Sequence, residues 1–159
     1  MKVSAGVLCI KEHPVIPRFQ KILVPVDFAE KNWAALDVAF DIAVHNKASV
    51  TLLHVIEALD NGAFDDDADV QRFYSRLEER AKRELETMGQ RFVESGIEVH
   101  ERIRFGARAQ EIVGYSSEHE SSLIVMSSHA LANRQPNANV VTLSYQVSLL
   151  CNCPVLLVK

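Results

Sequence analysis

The chain has 159 residues, 48% hydrophobic and 24% charged, with 17 Lys+Arg against 21 Asp+Glu for a formal charge of −4. That length supports one domain with a real core, and the acidic balance excludes a broad nucleic-acid or anionic-membrane surface. No apolar run approaches the roughly 20 residues that span a bilayer, and Met1 to Ile10 lacks the pattern of a signal peptide, so the expectation is a cytoplasmic protein without membrane attachment.

Residues 1–20 read as an N-terminal extension, with Pro14 and Pro17 near its end. Within it Val3 to Ile10 forms a short extra strand or packs loosely. The globular domain, residues 21–159, opens on Lys21-Ile22-Leu23-Val24-Pro25-Val26-Asp27, an apolar run of the kind buried on both faces of a sheet. Asn32 is placed to cap the helix that follows. Ala35, Val38, Ala39, Ile42 and Ala43 give that helix an apolar stripe. Ser49 to Val55 is a second strand, rich in β-formers. Asp65, Asp66 and Asp67 fall in the next loop.

A long helix follows, with Val70, Phe73, Leu77, Ala81, Leu85, Met88 and Phe92 at 3-to-4 spacing. Gly96 stops it. Val99 to Arg104 is a third strand, Gly106 a turn, Ala109 to His119 a third helix, and Leu123 to Met126 a fourth strand. A helix runs from about Thr142 to Leu150. Pro154 ends the connection, and Val155 to Val158 is the last strand. Strands alternating with helices predict an α/β fold: a parallel sheet covered on both faces, with right-handed crossovers. A ligand crevice in such a sheet lies at the carboxyl ends of the strands. That rule brings Asp27, Val55 and residues 127–144 to one mouth.

The mouth contains the most telling stretch, Ser127-Ser128-His129-Ala130-Leu131-Ala132-Asn133, with Leu143-Ser144 further on. A loop between a parallel strand and a helix N-terminus gathers unpaired N–H groups and the positive end of the helix dipole, and so suits phosphate. Glycine lets backbone approach the phosphate at close range. Ala130, Asn133 and Leu143 stand where glycine would serve, and Pro136 removes a donor and stiffens the loop.

Other chemistry finds little support. Cys9, Cys151 and Cys153 do not form a secreted disulfide framework, and Cys151 and Cys153 are badly spaced for a mutual bridge. They read as small buried hydrophobes. His54, His129 and the cysteines lack the repeated close spacing of a zinc motif. His54 reads as a satisfied core residue, and no metal is expected. The aspartates at 65–67 and Asp69 lack the pattern of an EF-hand loop. Ser127, Ser128 and Ser144 lie outside any Gly-x-Ser-x-Gly elbow, so no catalytic residue is assigned.

The ordered series Lys21-Ile22-Leu23-Val24-Pro25-Val26-Asp27-Phe28, Leu52-Leu53-His54-Val55, Gly106, Leu123 to His129, and Cys153-Pro154-Val155-Leu156-Leu157-Val158 resembles the universal stress protein family of the UspA type. The resemblance spans about residues 20–159. It implies a Rossmann-like sheet of five strands in the order 3-2-1-4-5, and a homodimer paired through Val155 to Val158. ATP-binding members carry Gly-x2-Gly-x9-Gly-Ser/Thr. Aligned on that pattern, the glycine positions hold Ala130, Asn133 and Leu143, and only Ser144 matches. The residues matching Pro25, Val26, Asp27 and Val55 line the base and ribose pocket in the family. Asp27 fits that role or the bracing of its own loop. Met126, Ser127 and His129 complete the altered nucleotide site.

The function the resemblance implies is a stress-response homodimer. It is expected to be non-enzymatic, to hold no tight ATP or other cofactor, and to work through contacts with protein partners the sequence does not name. The alternative is an adenine-nucleotide switch with weak or no ATPase activity, its phosphate held by Thr142, Ser144 and Arg134. A third reading places a different small ligand at the same mouth.

Overall fold

A computed structural model describes residues 19–57, 68–128 and 142–159. Its elements run β1 (Lys21–Pro25), α1 (Asn32–Asn46), β2 (Ser49–Ile56), α2 (Ala68–Glu94), β3 (Val99–Phe105), α3 (Arg108–Glu118), β4 (Leu123–Ser127), α4 (Leu143–Leu150) and β5 (Val155–Val158). The sheet has five strands in the order β3-β2-β1-β4-β5. All four pairings are parallel. The sheet expected from the alternating pattern, and the strand order implied by the resemblance, are both observed.

Strand periodicity sorts the core into two layers. Ile22, Val24, Val50, Leu52, Leu123 and Val125 face α1 and α2, where they meet Ala35, Leu36, Ala39, Leu85, Met88 and Phe92. Leu23, Leu53, Val55, Ile124 and Met126 face α3 and α4, where Ile112, Tyr115 and Val147 cover them. The alanines of α1 let that helix lie close on the sheet. Each large side chain removed from water contributes about 1.5–3 kcal/mol.

Two local readings are corrected. Asn32 does not cap α1: it is the first helical residue, Lys31 holds the cap position, and no side chain caps that end. On α2 the outward residue is Phe73, 48% exposed, while Tyr74 is buried and meets the Phe105 ring edge-on at 6.1 Å. A 3.6-residue period tolerates a slip of one position at a helix end, and the aromatic partner on β3 decides it. Gly96 ends α2 at φ +75°, and an added Cβ would meet nothing there, so backbone conformation alone favours glycine.

The sheet edges differ in chemistry. β3 carries His100, Glu101, Arg102 and Arg104, whereas β5 is Val-Leu-Leu-Val with Leu156 39% and Leu157 38% exposed. Charge on an edge strand discourages pairing with another chain; an apolar edge invites it. The readings made for residues 1–18, 58–67 and 129–141 lie outside the described residues. These include the strand at Val3 to Ile10, Asp65 to Asp67, Arg134 and Pro136, and three site residues: His129, Ala130 and Asn133.

Candidate functional site

The order β3-β2-β1-β4-β5 reverses its winding between β1 and β4. Their carboxyl ends diverge there, and a cavity of about 140 Å³ opens at that point. Pro25, Val26 and Asp27 come from the end of β1, His54 and Val55 from β2, Met126, Ser127 and Ser128 from β4, and Thr142, Leu143 and Ser144 from the start of α4. Every expected site residue that is described therefore lines this one mouth. Leu53, Val55, Ile112 and Met126 make an apolar floor.

Asn32 holds the two halves of the mouth together. Its Oδ1 accepts the Asp27 backbone N–H at 2.9 Å, and its Nδ2 donates to Ser127 Oγ at 3.0 Å. The side chain is only 2% exposed, so both bonds are made away from water. An amide serves here because one end accepts while the other donates.

Asp27 braces its own loop. Its Oδ1 accepts the Ala29 N–H at 3.2 Å, and its Oδ2 pairs with Lys31 Nζ at 3.0 Å. Burial pushes the carboxyl up, but the hydrogen bonds from Lys31 and Ala29 and the Lys31 charge outweigh it, so the group sits below its ordinary value. A lowered carboxyl contributes stability above its unfolded value, and that contribution is lost as pH falls through the folded one. Lys31→Ala should move the Asp27 titration upward. A carboxyl-detected NMR titration reads this directly, and an unmoved midpoint would show that Lys31 does not hold the charge.

His54 is satisfied but not hidden. Its Nδ1 lies 2.9 Å from the Val26 carbonyl oxygen, and its ring stacks on Phe28 with centroids 4.2 Å apart. A carbonyl only accepts, so Nδ1 carries the proton and Nε2 is an acceptor. Burial lowers the His54 pKa, and the Arg108 charge adds to this against the Val26 bond and Asp27. The ring is neutral at pH 7. Phe28 reaches this stack from φ +61°, unusual for a bulky residue. The expectation of a satisfied core histidine holds for its bonding, while its place is the cavity wall.

The far side of the mouth is a set of hydroxyls. Ser144 Oγ lies 3.4 Å from Ser128 Oγ and 3.2 Å from Thr142 Oγ1. Thr142 caps α4 by accepting the Tyr145 N–H at 3.3 Å. Leu143 is the first helical residue; it packs on the α3–α4 side of the core and forms part of the cavity wall. An isobutyl side chain thus stands at the helix N-terminus, where a phosphate would seek backbone N–H groups.

Lys31 and Arg108 supply positive charge at the rim, paired with Asp27 and with Glu57 at 3.0 Å. The sequence had not marked Lys31, Asn32, Leu53, Arg108 or Ile112 as site residues. Arg108 follows directly on the Gly106-Ala107 turn at the start of a helix, and that position at the carboxyl end of the sheet was the signal available. Among the described residues no cluster of His, Cys, Asp and Glu suits a metal ion. No helix there is long and apolar enough to cross a membrane.

Fold and mouth together define a doubly wound α/β domain with a ligand crevice at its switch point. Residues 18–159 match the Universal stress protein family. The chain belongs to that family, as the quoted motifs had implied. It is 26% identical over 148 residues to the universal stress protein YxiE of Bacillus subtilis, covering 89% of this chain and 99% of that protein. Its fold matches the universal stress protein UspA from Lactobacillus plantarum at TM-score 0.75 and 24% identity, over 89% of this chain and 99% of the other. It also matches a universal stress protein solved in complex with cAMP, at TM-score 0.71 and 19% identity, over 89% and 98% of the two chains. Family membership supports a role in stress response.

Proposed function

We propose that this protein acts in the stress response as a cytoplasmic homodimer that works through contacts with other proteins, performs no catalysis and does not bind ATP tightly. The observation that carries the reading is Leu143. Its side chain lines the crevice and packs into the core at the N-terminus of α4. Binding a triphosphate there requires charge-assisted hydrogen bonds from backbone N–H groups, each worth about 1.5–3 kcal/mol. A wall of aliphatic carbon at that point obstructs such a bond. Self-association is supported by the apolar edge of β5.

A second reading is an adenine-nucleotide switch. The hydroxyls of Ser128, Thr142 and Ser144 and the cation of Arg108 border the cavity, groups of the kind that bind phosphate oxygens. The relative solved with cAMP makes a single-phosphate nucleotide the natural probe.

Calorimetric titration of dialysed protein with Mg-ATP, AMP and adenosine separates the readings. We expect no micromolar ATP binding by the native chain. Leu143→Gly should tighten ATP by about tenfold, the worth of one recovered hydrogen bond. Micromolar ATP binding by the native chain would overturn the first reading in favour of the switch. Heat from AMP or adenosine without ATP would mean that the nucleoside pocket works and only the triphosphate grip is gone.

A further inference from the structure

The cations of the mouth sit away from α4. Thr142, Leu143 and Ser144 form the wall at the start of that helix, and none of them carries charge. Among the described residues that border the cavity, the cations are Lys31 and Arg108. Arg108 stands at the start of α3 and pairs with Glu57. Lys31 stands on the β1 side, with its Nζ 3.0 Å from Asp27 Oδ2. Both members of that second pair line the cavity, and both are partly open to water.

The backbone holds Lys31 in this place. It occupies the cap position of α1 at φ −57° and ψ −22°. The turn around it is closed by the Asn32 N–H on the Ala29 carbonyl at 2.9 Å and the Trp33 N–H on the Glu30 carbonyl at 3.1 Å. Asn32, the next residue, is buried and bonded to Ser127 on β4. The stem of Lys31 therefore starts from a fixed point beside the switch point. Its ammonium, on four flexible carbons, can turn from one acceptor to another.

In a doubly wound sheet a carboxylate near a strand end accepts a ribose hydroxyl, and a cation beside it lets the same position take a phosphate on that hydroxyl. Asp27 alone would repel such a phosphate. Paired with Lys31 its charge is offset, and the ammonium supplies charge-assisted donors to phosphate oxygens. The α4 side offers the opposite: Leu143 obstructs the backbone N–H groups that a 5′ phosphate would seek.

We propose that the crevice takes a ribonucleoside phosphorylated on a secondary ribose hydroxyl, the 2′ or 3′ oxygen, and that Lys31 selects it. The proposal rests on the nucleotide reading of the mouth and adds which end of the ligand carries the phosphate. Lys31 binds the phosphate, and Asp27 accepts the hydroxyl left beside it. Selectivity has two parts, attraction by Lys31 at one end and obstruction by Leu143 at the other.

The test is calorimetric titration of the dialysed full chain with adenosine, 5′-AMP, 2′-AMP and 3′-AMP. We expect 2′-AMP or 3′-AMP to bind about tenfold or more tighter than both 5′-AMP and adenosine, the worth of one charge-assisted hydrogen bond. The margin should shrink as salt rises, because the Asp27–Lys31 pair is partly exposed. Lys31→Gln should bring the affinities of the phosphate isomers together, and Lys31→Arg, which keeps the cation, should restore the preference. A ratio taken within one protein is insensitive to its stability. Equal or tighter binding of 5′-AMP would overturn the proposal and leave the nucleotide reading standing. A preference that survives in Lys31→Gln would overturn the role of Lys31. Silence toward all four ligands would overturn the proposal together with the nucleotide reading and leave the protein-contact reading.

Discussion

Replacing Asn32 by Leu is expected to lower stability by about 2–4 kcal/mol. The volume is nearly kept, so the loss comes from polar groups left without a partner. The Asp27 N–H loses its acceptor and Ser127 Oγ loses a donor. A buried group stranded in this way costs about 1–3 kcal/mol. For a domain of this size the melting temperature should fall by roughly 5–10 °C. The same substitution uncouples the end of β1 from the end of β4, so the crevice should loosen along with the fold. Asn32→Asp makes a sharper test. It keeps the acceptor for Asp27 and loses the donor to Ser127, so its cost should be intermediate unless the new charge, beside Asp27, adds repulsion. Denaturant unfolding of the three proteins measures the series, and a neutral Leu variant would show that the Asn32 bonds are not structural.

Charging the β5 edge is expected to have the largest effect on assembly. Leu156→Lys together with Leu157→Lys should convert the proposed dimer to monomer without loss of helical signal. The two side chains are over a third exposed in the isolated chain, so changing them removes little of its core. In a strand-paired dimer they would lie at the two-fold axis, where each positive charge faces its own copy. Like charges opposed across strands are unfavourable, and lysine on an edge is a common natural guard against such pairing. Sedimentation or light scattering reads the mass. A native chain that is monomeric at micromolar concentration would remove the proposed interface, and a variant that stays dimeric would move it elsewhere, to α4 with its outward Tyr145, Leu149 and Leu150.

The sheet was legible because its central strands are largely apolar, as Leu23-Val24 and Leu123 to Met126 demonstrate, while the charged edge strand β3 was read from a weaker alternation, and because the helices between them carry an apolar stripe. Their order was not in the periodicity. It came from the family likeness of motifs such as Lys21 to Phe28, and the ladder bears it out. The mouth was half legible. Asp27, Val55, Ser127, Leu143 and Ser144 were named from the chain and do line one cavity. Asn32 was read as a cap because a local rule sees only the helix beside it, whereas its donor target, Ser127, lies 95 residues away. Arg108 escaped for the same reason, since its place at the rim exists only once α3 is laid against the sheet. Phe73 and Tyr74 were exchanged because adjacent aromatics both fit a helical stripe, and only the ring of Phe105 chooses between them.

Ser128 belongs to two regions at once. Its hydroxyl joins the cluster around Ser144, and its N–H donates to the Val158 carbonyl at 2.7 Å, fastening the far end of β5. Anything that shifts this residue from the crevice side therefore tugs on the strand proposed to join the two copies. Such a connection works in both directions by thermodynamic necessity. A ligand that steadies the strand would draw the copies together, and the paired form would hold that ligand more tightly by the same factor. The amount of protein present then becomes a variable of its own ligand response, so that abundance and occupancy are read as one signal.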